Sequence, residues 1–288
     1  MSEAQPTQKA NLALAILPSV LLQAAFFVVP LVMTGLLSFQ ETKSYMLVWS
    51  WNLKTWGDVF SNLYYWSIIA STLVMSGITV LLCLLFGFPI AYGLATRFPN
   101  AQGNIKILLI FAFLTDSVLK IFGWALFLDH SGVANYLLTA VGLPPLPGWV
   151  IFSRAATLLG MVYSLLPFTI FTIFLSVEML DKSLLRAAYD CGASKWRAFW
   201  EVTLPLCKNG LFAGAMLVFV LSLGTFLESK ILGGGKTPMV AELIRQTFET
   251  RVNWPLGSAL TLVTIFITVA TILLFSRISD LRAREARK

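Results

Sequence analysis

Apolar positions in this chain fall in long unbroken runs, not in strand-like alternation or in narrow helical stripes. Five stretches hold no Lys, Arg, Asp or Glu: Ala10 to Gln40, Val59 to Thr96, Ala155 to Val177, Asn209 to Leu227 and Val252 to Ser276. A sixth, Ile107 to Leu128, is apolar except for Asp116 and Lys120. A bilayer core of about 30 Å is crossed by about 20 apolar residues as a helix. A helix also satisfies its own backbone polar groups, which an open sheet edge in lipid does not. The runs predict an all-α integral membrane protein with six transmembrane helices, at about 12–37, 66–96, 107–128, 155–177, 210–228 and 256–276. The second run begins with Ser61, Asn62, Tyr64, Tyr65 and Trp66, an interfacial composition, so it supplies one helix only. Pro18, Pro30, Pro89 and Pro167 fall inside spans. Membrane helices tolerate them because neighbours and local backbone adjustments re-satisfy the freed carbonyls. The chain reads as a single transmembrane domain, 1–288.

Composition sharpens this picture. The chain is 57% hydrophobic and 12% charged, against about 45–50% and about 25% in soluble domains. Too few polar side chains exist to cover a soluble sphere of this size, so the surface faces lipid. The first apolar run is too long for a signal-peptide core and reads as a retained helix.

The net charge of +7 is a matter of distribution. Of the 21 Lys and Arg, thirteen lie in the tails and the connections after helices two and four. Seven lie in the alternate connections, and Lys120 lies within a span. The positive-inside rule then puts both termini and the 178–209 loop in the cytoplasm. The basic excess is a topology signal and not a nucleic-acid surface. Cys83, Cys191 and Cys207 have no metal or redox spacing, and reducing cytosol disfavours a disulfide. His130 is the only histidine; a lone imidazole makes no metal site, and it reads as interfacial.

One motif is a decoy. Gly233-Gly234-Gly235-Lys236-Thr237 looks like the end of a phosphate-binding loop, but Lys230 stands where the leading Gly is needed. Such a loop also follows a buried strand and opens a helix, whereas here a membrane helix precedes it. It reads as a turn outside the cell. No GxSxG, HExxH or metal-spaced cluster occurs, so the chain is expected to carry no catalysis of its own.

The informative segment is the loop 178–209. Leu184, Leu185 and Ala188 recur at helical spacing among Asp181, Lys182, Arg186 and Asp190. Gly192 interrupts. Trp196, Phe199 and Trp200 then form an i, i+3, i+4 stripe, and Pro205 is expected to end this second segment before helix five. Two short amphipathic helices joined at a glycine are predicted. The pattern alone leaves two uses open, lying on lipid headgroups or docking a soluble partner.

These residues resemble the EAA loop of ABC importer permeases: Glu-Ala-Ala, three residues, Gly, nine residues, an aliphatic, one residue, Leu-Pro. Here Ala187, Ala188, Gly192, Val202, Leu204 and Pro205 stand at those positions, with Arg186 in place of the family's Glu. That departure reverses the charge at the docking position. Ser117-Val118-Leu119-Lys120-Ile121-Phe122-Gly123-Trp124 resembles the Ser-x-Leu-Arg-x-Tyr-Ala-Trp region of spermidine/putrescine-type permeases. Leu232 to Lys236 and Asn253 to Ala259 resemble the B-type permease of those importers. The resemblance covers most of the chain, from about Leu12 to Arg277.

It implies type I ABC-importer permease architecture in a bacterial inner membrane. The implied partners are two cytoplasmic ATPase subunits, a second related permease and an extracytoplasmic solute-binding protein. ATP and Mg would be bound by the ATPases, with no cofactor on this chain. The implied function is ATP-driven import of a small polyamine-like or related organic solute. ATPase coupling would fall to Arg186, Ala187, Ala188, Gly192, Trp196, Phe199, Leu204 and Pro205. An ion-coupled secondary transporter is the rival reading, but it has no use for a docking loop.

Within the membrane, Asp116 and Lys120 are four apart and share a face on one continuous helix. An isolated mid-bilayer charge costs about 2.5–3.5 kcal/mol. Either the two form a self-compensating pair, or their face lines the solute path together with Trp124, or helix three starts later and leaves Asp116 at an interface. Glu228, with Lys230 nearby, is a second path candidate at the outer end of helix five.

Overall fold

The computed structural model describes residues 6–43, 45–98 and 101–285. They are mostly helical: α1 (Pro6–Leu37), α2 (Lys54–Ser61), α3 (Leu63–Arg97), α4 (Gln102–Leu114), α5 (Ser117–Leu128), α6 (Val133–Ala140) and α7 (Arg154–Glu178). Then follow α8 (Lys182–Asp190), α9 (Lys195–Ala198), α10 (Leu204–Leu223), α11 (Leu227–Ile231), α12 (Val240–Glu249) and α13 (Trp254–Glu285). A short antiparallel hairpin pairs β1 (Glu41–Lys43) with β2 (Met46–Val48), Glu41 opposite Val48. Among the described residues, five helices are long and apolar enough to cross a membrane: Leu17–Leu37, Leu63–Arg97, Arg154–Glu178, Lys195–Leu223 and Trp254–Arg277. Pro18, Pro30, Pro89 and Pro167 all lie inside continuous helices.

The chain divides into two compact units. One is built on α1, the hairpin, α2 and α13. Phe39 packs against Trp51 and Trp56, with ring centroids about 6 Å apart. Glu41 pairs with Lys43 and Lys54. The start of α13 explains the Asn253–Ala259 stretch. Asn253 caps the helix by accepting from Leu256 N–H at 3.1 Å, and Pro255 sits in the first turn, where its missing N–H costs nothing. Gly257 leaves room for the Phe248 ring, which a Cβ would meet at 2.7 Å.

The other unit, Trp66 to Leu243, is organised around α7. Its buried face includes Met161, Leu165, Ile173 and Phe174. On one side α10 approaches so closely that a Cβ at Gly210 would strike Ser176, and one at Gly214 would lie 2.5 Å from Thr172 Oγ1. On another, Gly87 of α3 fits against Thr169. Phe113 of α4 stacks on Phe168 with centroids 4.8 Å apart. Small residues let membrane helices approach where no hydrophobic drive separates them from lipid. Lys106 of α4 bonds Glu178 at the end of α7, 2.8 Å apart.

Two sequence expectations are corrected. The apolar run 107–128 is not one helix. It breaks at Thr115, whose backbone is extended (φ −70°, ψ 123°), and restarts at Ser117. Thr, Asp and Ser side chains compete for backbone groups, and Asp116 accepts from Val118 N–H at 2.6 Å, capping α5. Apolarity set the expected length and overrode this capping signal. Pro205, in turn, does not end a segment. The chain runs helically from Lys195 to Leu223 through a π-helical turn, Phe199–Thr203, in which Leu204 N–H donates to Phe199 O. Pro205 therefore occupies the first turn of α10, where it is tolerated. Helix five also ends at Leu223, so Glu228 lies beyond it on α11.

Candidate functional site: coupling surface and solute path

The segment between α7 and α10 is built from caps. Asp181 accepts from Ser183 N–H at 2.8 Å and starts α8; that bond holds its carboxyl below the usual carboxylate range. At the far end Gly192 N–H donates to Tyr189 O and Ala193 N–H to Ala188 O, at 2.9 and 3.0 Å. This is a Schellman closure, and it needs a left-handed residue. Gly192 provides one with φ +83°. Ser194 then caps α9 by accepting from Arg197 N–H.

Arg186, Ala187 and Gly192 are exposed on this element and Ala188 is half-buried. Open space surrounds Gly192, with no atom within 4 Å of an added Cβ. The remaining coupling candidates are placed differently. Phe199 turns inward, edge-on to Phe88 and Tyr92 of α3 at 5.5 and 5.7 Å. Leu204 packs on the core cluster around Phe174. Phe199 and Leu204 thus hold the segment onto the membrane helices. Trp196 is 71% exposed and stacks on Phe199. Pro205 is exposed.

The path candidates do not converge on one cavity. Lys120 and Trp124 line a cleft of about 420 Å³ with Thr115, Leu119, Gly123 and Tyr163. Trp124 meets Tyr163 edge-on at 5.5 Å. Asp116 and Lys120 form no ion pair. Lys120 Nζ instead donates to Ala112 O at 2.8 Å, a carbonyl near the end of α4 that the break leaves without a full helical turn above it. Each charge serves one side of the break.

Glu228 lines a separate cleft of about 360 Å³ with Ser117, Gly224 and Thr225. It is only 4% exposed and lies against Gly160 of α7, where a Cβ would be 3.3 Å from Glu228 Cγ and would strike Leu232. The glycine turn beyond α11 is pinned. Ser229 Oγ donates to Thr237 O at 2.7 Å, and Gly234 (φ +58°) packs so tightly that a Cβ would sit 2.6 Å from the Phe152 ring. A short helix precedes this turn, not a strand.

Sequence reasoning missed Tyr163, which completes the cleft, and the close-packing pair Gly210 and Gly214. The pair was readable as a small-xxx-small spacing. Tyr163 had no local signal, because it reaches the cleft only through the packing of α7 on α5.

Lys120 and Asp116 should separate on mutation. Lys120→Met leaves the Ala112 carbonyl without its charged donor, a loss of about 1.5–3 kcal/mol. It should lower the midpoint of thermal unfolding in detergent. Asp116→Asn retains a capping side chain and should leave that midpoint nearly unchanged. Equal destabilisation by both changes would show that neither charge acts through the cap or the carbonyl.

Five helices long and apolar enough to cross a membrane, with an exposed helix–glycine–helix element between two of them, make this a multi-pass membrane protein. Residues 84–288 match the family of binding-protein-dependent transport system inner membrane components, and the chain belongs to that family. It is 33% identical over 233 residues to the spermidine/putrescine transport system permease protein PotB of Haemophilus influenzae, covering 81% of each chain. It is 36% identical over 210 residues to PotB of Escherichia coli K12, covering 73% of this chain and 76% of that one. Its fold matches a bacterial ABC transporter involved in the import of the acidic polysaccharide alginate, with a TM-score of 0.70, 18% identity, and coverage of 95% of this chain and 96% of that one. The protein is the membrane permease subunit of an ABC importer, a multi-pass inner-membrane component working with a solute-binding protein.

Proposed function

We propose that this permease forms half of a translocation path for a polyamine-like or related small organic solute, paired with a second related permease and driven by two cytoplasmic ATPases. The names of the relatives above support the solute class. The observation that carries the coupling role is the exposed α8–Gly192 element, closed by backbone bonds and presenting Arg186, Ala187 and Gly192 outward. ATP and Mg belong to the partner ATPases in this reading. Lys120, Trp124 and Tyr163 line one part of the path, with Asp116 at the helix break and Glu228 further along.

The charge distribution supports both termini and the α8–α9 segment on the cytoplasmic side. Six crossings follow if α4 and α5 together make one. At about 1.5 Å per residue each spans only about 20 Å, too little alone for a core of about 30 Å. In this reading the backbone ends and polar side chains of the broken crossing face the path and not lipid.

Labelling with a membrane-impermeant thiol reagent tests the orientation. Cys191 is exposed, whereas Cys207 is buried, so Cys191 carries the test. In intact cells it should stay unlabelled, while a cysteine placed at the exposed Lys236 of the same turn should react. Labelling of Cys191 from outside would reverse the topology and remove the coupling role. Arg186→Glu restores the family's acid on an exposed position. It should leave co-purification of the ATPases and transport within about twofold, as exposed charges contribute little.

A further inference from the structure

The α10 helix stops at Gly224 and α11 restarts at Leu227, so Glu228 is carried off the α10 axis and against α7. There Gly160, lacking a Cβ, leaves room for its side chain. Glu228 is buried, yet it forms no ion pair among the described residues, and no charged group acts on its carboxyl. The elements packed on α11 are α5 and α7. On α5, Asp116 is engaged in capping, and Lys120, in the other cleft, donates to Ala112 O. On α7, Arg154 and Glu178 stand at the two ends of the helix, away from Gly160. On α11 itself, Lys230 is exposed and two residues on, a spacing that turns it to another side. The Ser164 hydroxyl of α7 lies beside the carboxyl; it is buried and makes no hydrogen bond of regular geometry.

An uncompensated acid and an unengaged hydroxyl thus meet at the cleft of about 360 Å³ that Glu228 lines. Its other walls include Val220, Leu221, Phe226 and Leu227. Apolar walls with a single acid match one chemistry, an alkylammonium, with methylenes along the walls and the –NH3+ at the carboxyl. Burial without a counter-charge favours the neutral acid, and an ionised carboxylate left alone there is costly. A cation entering the cleft reverses that balance.

We infer that Glu228 recognises a primary ammonium group of the solute, staying protonated while the cleft is empty and giving up its proton as the ammonium arrives. The carboxyl O–H bond breaks and the proton leaves to water. The carboxylate so formed accepts from the –NH3+ and from Ser164 Oγ. The cleft is neutral before the exchange and neutral after it. This rests on the solute class proposed above and deepens it, naming the group that is read and the residue that reads it.

The test is uptake of labelled spermidine by proteoliposomes holding the assembled importer, with ATP inside and excess spermidine-loaded binding protein outside. Native rates are divided by those of Glu228→Gln, which keeps the shape of the neutral acid, so the pH dependence of the other steps cancels. The ratio should lie near one at about pH 5 and climb, by no more than about tenfold per pH unit, as one proton is exchanged. At about pH 8 it should reach about ten or more, the scale of a hydrogen bond to a charged group. Glu228→Asp should keep the climb, and both variants should elute as the native complex does. No uptake by the native importer while ATP is still hydrolysed would remove the solute class and this inference with it. Uptake with a ratio that is flat over pH would leave the solute class standing and overturn the role of Glu228. Loss of the climb in an assembled Glu228→Asp importer would show that shape, not the carboxyl, is read. Failure of Glu228→Gln to assemble would mean that the empty cleft holds the ionised acid, which overturns the inference as well.

Discussion

Gly210→Leu is expected to cost the permease about 3 kcal/mol of stability and to lower its unfolding midpoint sharply. Gly210 and Gly214 are one helical turn apart on α10 and face Thr172 and Ser176 on α7. A Cβ at Gly210 would strike Ser176 and come within 3.3 Å of Thr172 O. That oxygen is backbone, so relief requires the two helices to separate. Overpacking a well-filled site costs about 1–3 kcal/mol where side chains can adjust, and a shift between helices belongs at the upper end. At about 3 kcal/mol the ratio of folded to unfolded chains falls more than about 100-fold. Gly77→Ala is the matched control: no atom lies within 4 Å of its Cβ, and Ala in a helix interior gains about 0.5–1 kcal/mol over Gly. Thermal unfolding followed by size-exclusion elution in detergent reads both. Similar elution and midpoints for Gly210→Leu and the native chain would mean that α7 and α10 are not packed through this pair.

Gly192→Asp is expected to do the reverse: a normal permease that no longer transports. The left-handed backbone at Gly192, φ +83°, is a conformation that Asp and Asn accept better than other side chains, and no neighbouring atom opposes a Cβ. Folding should therefore change by less than about 1 kcal/mol. A clash can come only from a partner lying across the turn. Under the coupling reading, Gly192→Asp should cut co-purification of the ATPases and transport by at least about tenfold, the effect of losing a well-packed contact. Gly192→Val, which strains the backbone as well, should also lower the unfolding midpoint. Wild-type transport in Gly192→Asp would show that no partner packs over the turn.

The long helices were legible because a membrane imposes a length on every crossing. Arg154–Glu178 and Leu63–Arg97 lie within a few residues of the charge-free runs. The coupling segment was legible for another reason: Gly192 and the helical spacing of Leu184, Leu185 and Ala188 are local signals, read within a few residues. What stayed hidden depended on competition or on distant partners. The break at Thr115 pitted three capping side chains against an apolar run, and hydropathy alone assigned the win to the run. Phe199 shares a stripe with Trp196 and Trp200, yet only the packing of α3 decides that its ring turns inward. The Asp116–Lys120 pair failed because each charge is engaged elsewhere: Asp116 accepts from Val118 N–H, and Lys120 reaches back across the break to Ala112 O.

The π-helical turn between α9 and α10 bears on how this chain tolerates changes in length. An α-helix advances about 100° per residue, and a π turn holds one residue more than the α turn it replaces. Removing one residue from 199–203 would let the stretch close into uniform α-helix at little local cost. The membrane crossing would survive, but everything ahead of it would swing about a quarter-turn round the axis. Trp196 would turn to another side of the helix, and the α8 element would point elsewhere. In this segment a single-codon deletion is therefore an angular change, silent for insertion into the bilayer and decisive for what the exposed end meets.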